Sequence, residues 1–372
     1  MSEATLTAPR PSAVDHPTSR PSSRIASLDE FRGYTVAGML LVNFLGGFAV
    51  VPALLKHHNT YCSYADTIMP QFFFAVGFAY RLTFLRRRDL VGAWAASWAV
   101  ARRCAGLVLL GFALYHLDGG AKTWEELKAM GPSGFLATAF QRNLFQTLVH
   151  IALASLLVLP VIGRGAAARL AFMAGVSALH VGLSWAFYYD WVMARPGIDG
   201  GPLGFLTWTI PLLTGSLAHD AVARRGVKAF GALLAGGILM MALGYGLSCL
   251  GVAGHLAAPP FSPPDAPVSL WTMSQRTGSL SYHAFSSGFS LAVYAPFLVA
   301  CDGFGLGLGL FRTFGRNALA AYVLHSIVAG AVKPWAPKDA PGLYVAAVFT
   351  LYFTISYLFV RSLEKNHVFI KL

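Results

Sequence analysis

The chain has 372 residues, a mean hydropathy of +0.57 and only 12% charged residues. So little charge on so long a chain excludes an ordinary soluble domain, and apolar runs of about 20 residues, each long enough to cross a bilayer, recur along its length. The net charge of +12 does not point to nucleic acid, because the basic residues fall in short clusters between apolar runs, as membrane topology requires.

Backbone in lipid must satisfy its own hydrogen bonds, so the predicted fold is all-α, a polytopic transmembrane helical bundle. Residues 1–24 are polar, rich in Pro, Ser and Thr, and lack the apolar core of a signal peptide. They are predicted to be a disordered cytoplasmic tail, ahead of one membrane domain over 25–372 whose first span acts as an uncleaved anchor. Ten spans are predicted, near 31–52, 64–85, 95–116, 143–163, 169–191, 202–219, 229–253, 279–301, 315–335 and 343–362. With the N-terminus inside, 20 of the 28 Lys and Arg fall on the inside, which predicts cytoplasmic N- and C-termini.

In chain order, "SLDE" (27–30) has the form of a helix cap for the first span, with Ser27 as the capping hydroxyl. Asn43, in "LLVNF", places an amide inside that span, where a buried polar group needs a partner. The following loop, "KHHNTYCSYADTIMP" (56–70), faces outward. Its Ser63 and Asp66 match S-x-x-D and predict a cap for the second span, but a cap gives no purpose to His57 and His58. Histidine titrates near neutrality, and a neighbouring carboxylate fixes its tautomer and stabilises its charge. His57 or His58 is therefore a candidate general base held by Asp66. The third span carries Arg102 and Arg103 near its entry, where their stems can snorkel.

The long outer connection 117–142 contains "TWEELKAM", a candidate interfacial helix. His116 is read as interfacial, and His150 and His180 as hydrogen-bonding glue between helices. His219–Asp220 reads as a solvated helix end. The Pro-rich loop 254–278 cannot be regular helix and is predicted to fold back over an outer cavity. The glycine-rich 303–316 reads as a cytoplasmic linker without the lysine or spacing of a P-loop. Its Arg312 and Arg316 are candidates for pairing with phosphates. Asn317, Tyr322 and His325 share the ninth span. The four cysteines form no C-x-x-C pair, and no zinc or redox motif is present.

These segments resemble the heparan-alpha-glucosaminide N-acetyltransferase family and its bacterial relatives. The match runs through Ser27, Leu28, Asp29, Phe31, Arg32 and Gly33, then Asn43, then His57 or His58, then Ala65, Asp66, Pro70 and Gly77, and late in the chain through Gly315, Asn317, Ala318, Leu319, Tyr322 and His325. The resemblance implies a polytopic acyltransferase that takes acetyl-CoA from the cytoplasm and acetylates an amino sugar or glycan on the far side of the membrane. It implies a catalytic histidine before the Ala-Asp pair, with Asn43 and Asp66 beside it. Candidate acetyl-CoA contacts are Arg32, Arg102, Arg103, Arg312, Arg316, Asn317 and His325, and no metal is expected. The chain lacks the family's W-N-G after the histidine and the large lumenal domain of the animal enzyme, so heparan is not the implied acceptor. Membrane lipids are expected partners, nucleic acid is not, and a homo-oligomer is compatible with the sequence. A bacterial inner membrane is the expected location. The rival reading is a proton-coupled transporter or flippase of a small solute or lipid-linked sugar, since His, Asp and Asn near a vestibule also build such sites.

Overall fold

The computed structural model describes residues 25–116, 120–141, 145–195 and 198–370; the predicted tail, 1–24, lies outside them. The described residues are all-helical, with no strand. The helices are α1 (Ala26–Leu45), α2 (Tyr64–Val91), α3 (Ala93–Tyr115), α4 (Trp124–Gln141), α5 (Thr147–Ile162), α6 (Ala166–Leu183), α7 (Tyr189–Met193), α8 (Gly204–Arg225), α9 (Phe230–Cys249), α10 (Leu280–Phe297), α11 (Gly309–Arg316), α12 (Ala318–Val332) and α13 (Gly342–Lys365). Seven helical segments are long and apolar enough to cross a membrane. One of them, Gly201–Cys249, holds both α8 and α9, which a break at Gly226 (φ +54) separates.

Contacts along their lengths give the helix directions. Asp66, Phe73 and Arg81 of α2 meet Tyr282 of α10, Trp208 of α8 and Asp220 of α8 in turn, so α2, α8 and α10 run parallel. Gly237 and Gly244 of α9 pack on Gly288 and Phe285 of α10, so α9 runs the other way. The Gly226 break is therefore a reversal that the merged 49-residue segment conceals.

α2 begins where the sequence places it. Ser63 accepts from the Asp66 backbone N–H while the Asp66 carboxylate accepts from the Ser63 N–H, a complete capping box. α1 differs from expectation. Ser27 lies inside the helix, and its hydroxyl and backbone N–H both go to Asp302. A distant carboxylate supplies what a local cap was expected to.

α2 is set deep in the bundle by glycine. A Cβ at Gly77 would overlap the Leu212 carbonyl, and one at Gly215 the Phe74 carbonyl, so α2 and α8 touch backbone to backbone. At the far end of both helices, Asp220 takes Arg81 of α2 at 3.0 Å, Arg169 of α6 and the ring of His219. The expected solvated terminus is instead a largely buried ion cluster joining three helices, because cations from two other helices arrive there.

Other expectations also change. His116 follows the last turn of α3 and is buried within the protein. Both ring nitrogens of His150 are buried without a hydrogen-bond partner among the described residues, and the ring packs near Trp208 rather than gluing helices by hydrogen bonds. The end of the glycine-rich linker is helical, with Gly33 of α1 against Phe311 and Gly315 of α11 against Asp29.

Gly77→Leu is expected to lower stability by roughly 1–3 kcal/mol or prevent folding. Gly231→Leu, where a side chain meets nothing within 4 Å, is expected to leave the melting temperature in detergent almost unchanged. Equal melting of the two variants would contradict the packing described.

Candidate functional site

Asp66 is the fixed point. Its carboxylate is 1% exposed at the first turn of α2, where the helix dipole favours negative charge. Oδ2 accepts from the Ser63 N–H at 2.9 Å and the Ser63 hydroxyl at 3.0 Å. Oδ1 lies 2.8 Å from His57 Nδ1. A carboxylate there only accepts, so the His57 proton sits on Nδ1 and Nε2 keeps a free lone pair. The Asp66 carbonyl accepts from the Tyr282 hydroxyl at 2.6 Å, which braces the turn from α10.

The two histidines, equivalent by sequence, are separated by these bonds. His58 gives its Nε2 to the Ala53 carbonyl at 2.8 Å and stacks on Tyr61 with ring centroids 4.1 Å apart. Of the two rings only that of His57 reaches the carboxylate, to which His58 donates its backbone N–H at 3.4 Å, and the His57 side chain is 49% exposed. Burial works against the charged ring, but the hydrogen bond and charge of Asp66, with a smaller contribution from Asp199, outweigh it and raise the His57 pKa above its ordinary 6.5.

His57 opens on a cavity of about 340 Å³ whose walls also carry Asn43, Asp66, Asp199, Gln275, Tyr322 and His325. Asn43 is exposed to this space rather than buried in its span, so it needs no protein partner. The expected fold-back of the Pro-rich loop is seen: Ser274 donates to the Asn59 carbonyl at 2.6 Å, and Gln275 and Arg276 form cavity wall.

A second cavity, about 680 Å³, lies toward the opposite end of α2. Arg32, Arg86, Arg87, Arg103 and Arg316 line it, and no carboxylate does among the described residues. Phe72 and Tyr322 are walls of both cavities. The Tyr322 hydroxyl is 2.7 Å from that of Tyr115, which closes the septum from α3. One face of α2 joins the two spaces through Asp66, Met69, Phe72, Val76, Ala79, Thr83 and Arg86 at helical spacing. Arg86 is 20 residues beyond Asp66, about 30 Å at 1.5 Å per residue.

No family model matches the chain, and no curated protein matches it.

Of the residues expected from sequence, the structure brings His57, His58, Asp66 and Asn43 to one cavity and Arg32, Arg103 and Arg316 to the other. Arg102 and Arg312 are exposed and line neither. Asn317 is buried and donates to the Val368 carbonyl at 3.0 Å, tying down the chain after α13. His325 belongs to the His57 cavity, with Nδ1 directed to the Tyr322 carbonyl.

Sequence reasoning missed Arg86, Arg87, Asp199 and Gln275. The arginines were legible as the end of the α2 stripe that starts at Asp66. Asp199 carried only a weak signal, an acidic residue in the glycine-rich loop "IDGGPLG". Burial pushes its carboxyl up to about 6, against the Gln275 hydrogen bond and the His57 charge, with Asp66 adding to the rise.

The Asp66 pairing predicts how His57 titrates. In Asp66→Asn the burial penalty remains while the hydrogen bond and charge that oppose it go, so the His57 pKa falls. Carbethoxylation of His57 followed by mass spectrometry across pH reports the neutral ring. Its midpoint is expected above 6.5 in the native protein and lower in Asp66→Asn; an unmoved midpoint would refute the pairing.

Proposed function

We propose that the protein is a membrane-embedded acyltransferase that moves an acetyl group from cytoplasmic acetyl-CoA to an amino sugar or glycan on the other side of the membrane. One observation carries this reading: Asp66, which holds His57 in one cavity, and Arg86, which lines the other, stand 20 residues or about 30 Å apart along one face of α2, and Phe72 and Tyr322 are walls of both cavities. That separation is the thickness of a hydrocarbon core. The family resemblance of the histidine loop points the same way.

The orientation is part of the proposal. The apolar segments, with α8 and α9 taken separately and with α1 and the shorter α5 added, make ten spans. Cytoplasmic termini then put Arg86, Arg87 and Arg316 inside and His57 outside, in a bacterial inner membrane.

Acetyl-CoA supplies an activated thioester carbonyl. The chain's residues suit it: of the five arginines lining the cavity, Arg32 pairs with Asp29 at 3.6 Å and Arg316 with Glu364 at 2.7 Å, while Arg86, Arg87 and Arg103 form no ion pair with the described residues and suit a phosphate-rich anion. Arg86, Arg87 and Arg103 would hold the phosphates, with Arg32 and Arg316 at the edge of the site. Ala75, Val76 and Ala79 give the small apolar wall that a flexible arm would follow toward Phe72 and Tyr322. His57 Nε2 takes the proton from the acceptor amine as its nitrogen forms a C–N bond to the thioester carbonyl; the C–S bond then breaks and CoA leaves as the thiol with that proton, while Asp66 holds the ring and stabilises its charge. Asn43 is placed to donate to the developing oxyanion.

Purified protein with radiolabelled acetyl-CoA and a panel of amino sugars tests this. His57→Ala is expected to lower label transfer by roughly 10²–10⁴-fold, whereas His58→Ala costs less than about tenfold because His58 is bonded to backbone. Arg86→Ala with Arg87→Ala is expected to raise KM for acetyl-CoA. Transfer that survives His57→Ala rejects the assignment. Solute uptake into vesicles without any label transfer would favour transport.

A further inference from the structure

We infer that Asp199, presented by Gln275, selects the acceptor in the His57 cavity by anchoring a cationic ammonium group. This rests on reading that cavity as the acceptor site. It goes beyond that reading by naming the residues that choose the substrate and the charge they demand.

Most polar groups of the cavity wall have little hydrogen-bonding capacity left. The Asp66 oxygens are committed to His57 and Ser63. His58 is bonded to the Ala53 carbonyl, and Tyr115 and Tyr322 to each other. Arg276 lines the cavity but directs its Nη2 to the carbonyls of Met193 and Arg195, at 2.9 and 2.6 Å. Asp199 differs. It is 4% exposed, and one oxygen accepts from Gln275 Nε2 at 2.6 Å. Its second oxygen takes no hydrogen bond from the described residues, and none of their cations forms an ion pair with it. A buried carboxylate in that condition calls for a cation.

Gln275 reinforces the demand. A carboxylate only accepts, so the amide must turn its NH₂ to Asp199. That leaves Gln275 Oε1, which is buried without a partner among the described residues and closed off from the cavity. The second Asp199 oxygen is thus the charged acceptor left unfilled on the wall that His57 faces. An ammonium group carries the donors and the charge to fill it, and a neutral hydroxyl carries one donor and no charge.

The backbone supports a built feature. Asp199 has φ +58, a left-handed conformation that glycine adopts freely and aspartate only at some cost. It is held there from several sides. Trp208 Nε1 donates to the Asp199 carbonyl at 2.8 Å, the Tyr188 hydroxyl to the Gly200 carbonyl at 2.6 Å, and the Gly200 N–H to the Arg276 carbonyl at 3.1 Å. The carboxylate is therefore fixed before any ligand arrives. The rise of its pKa to about 6 agrees with an anion short of compensation. His57 Nε2 then takes one proton from the held ammonium, which frees the nitrogen lone pair for attack; the second proton lost on forming the amide goes to the departing CoA thiolate.

The test is equilibrium binding without acetyl donor, at pH 7.5, of two amine and neutral pairs: glucosamine with glucose, and cyclohexylamine with cyclohexanol. The native protein is expected to prefer each amine by at least about tenfold. Asp199→Asn keeps the shape and is expected to bring each pair within about threefold, with the melting temperature unchanged. Should that variant not fold, Asp199→Gly removes the same charge and relaxes the backbone at φ +58. Amine preference unaltered in the variant, or absent from the native protein, overturns the inference. Asp199-dependent amine binding in a protein that never transfers label would reject the enzymatic reading and leave this one standing.

Discussion

The buried carboxylate of Asp66 is the constraint on which the site depends. It lies 1% exposed in the first turn of α2 and must find donors there. The Ser63 backbone and hydroxyl satisfy one oxygen and close the helix cap; His57 satisfies the other. The same group therefore starts the helix and sets the histidine's tautomer. Capping and chemistry are two uses of one carboxylate, and the cap explains why the histidine is held at a fixed place rather than on a mobile loop.

α2 then acts as a ruler. Its depth is fixed by backbone contact with α8 at Gly77 and Gly215, and its far end by Arg81 in the Asp220 cluster. Along one face it carries an acid, a septum residue, small apolar residues and two arginines, in that order. Because a helix is stiff, the rise from Asp66 to Arg86 and Arg87 is set by residue count. Phe72 and Tyr322 divide the space between them, so the two ends are chemically distinct and yet adjacent at one thin wall.

Much of this was legible in the sequence, and the limits have physical causes. All-helical spans follow from composition, and the α2 cap follows from S-x-x-D because its partners are three residues apart. "SLDE" has the same form but fails as a cap, since Ser27 is satisfied by Asp302 from across the bundle. Local pattern cannot register a partner that far along the chain. The same reason hid Arg81 and Arg169 around Asp220, and Asp199 beside His57. The choice between His57 and His58 needed the fold of the loop, because adjacent residues point in different directions. Arg86 and Arg87 were readable by helical period from Asp66, but their charge was already accounted for by topology.

In the proposed reaction the two ends of α2 serve opposite faces of a membrane and an acetyl group crosses between them. Sealed proteoliposomes containing protein of one defined orientation test that crossing. Radiolabelled acetyl-CoA is placed on the Arg86 side alone and amino sugar on the His57 side alone. The account predicts labelled acceptor on the His57 side, with none when the two additions are exchanged. Labelling only when both reactants share one side would contradict it.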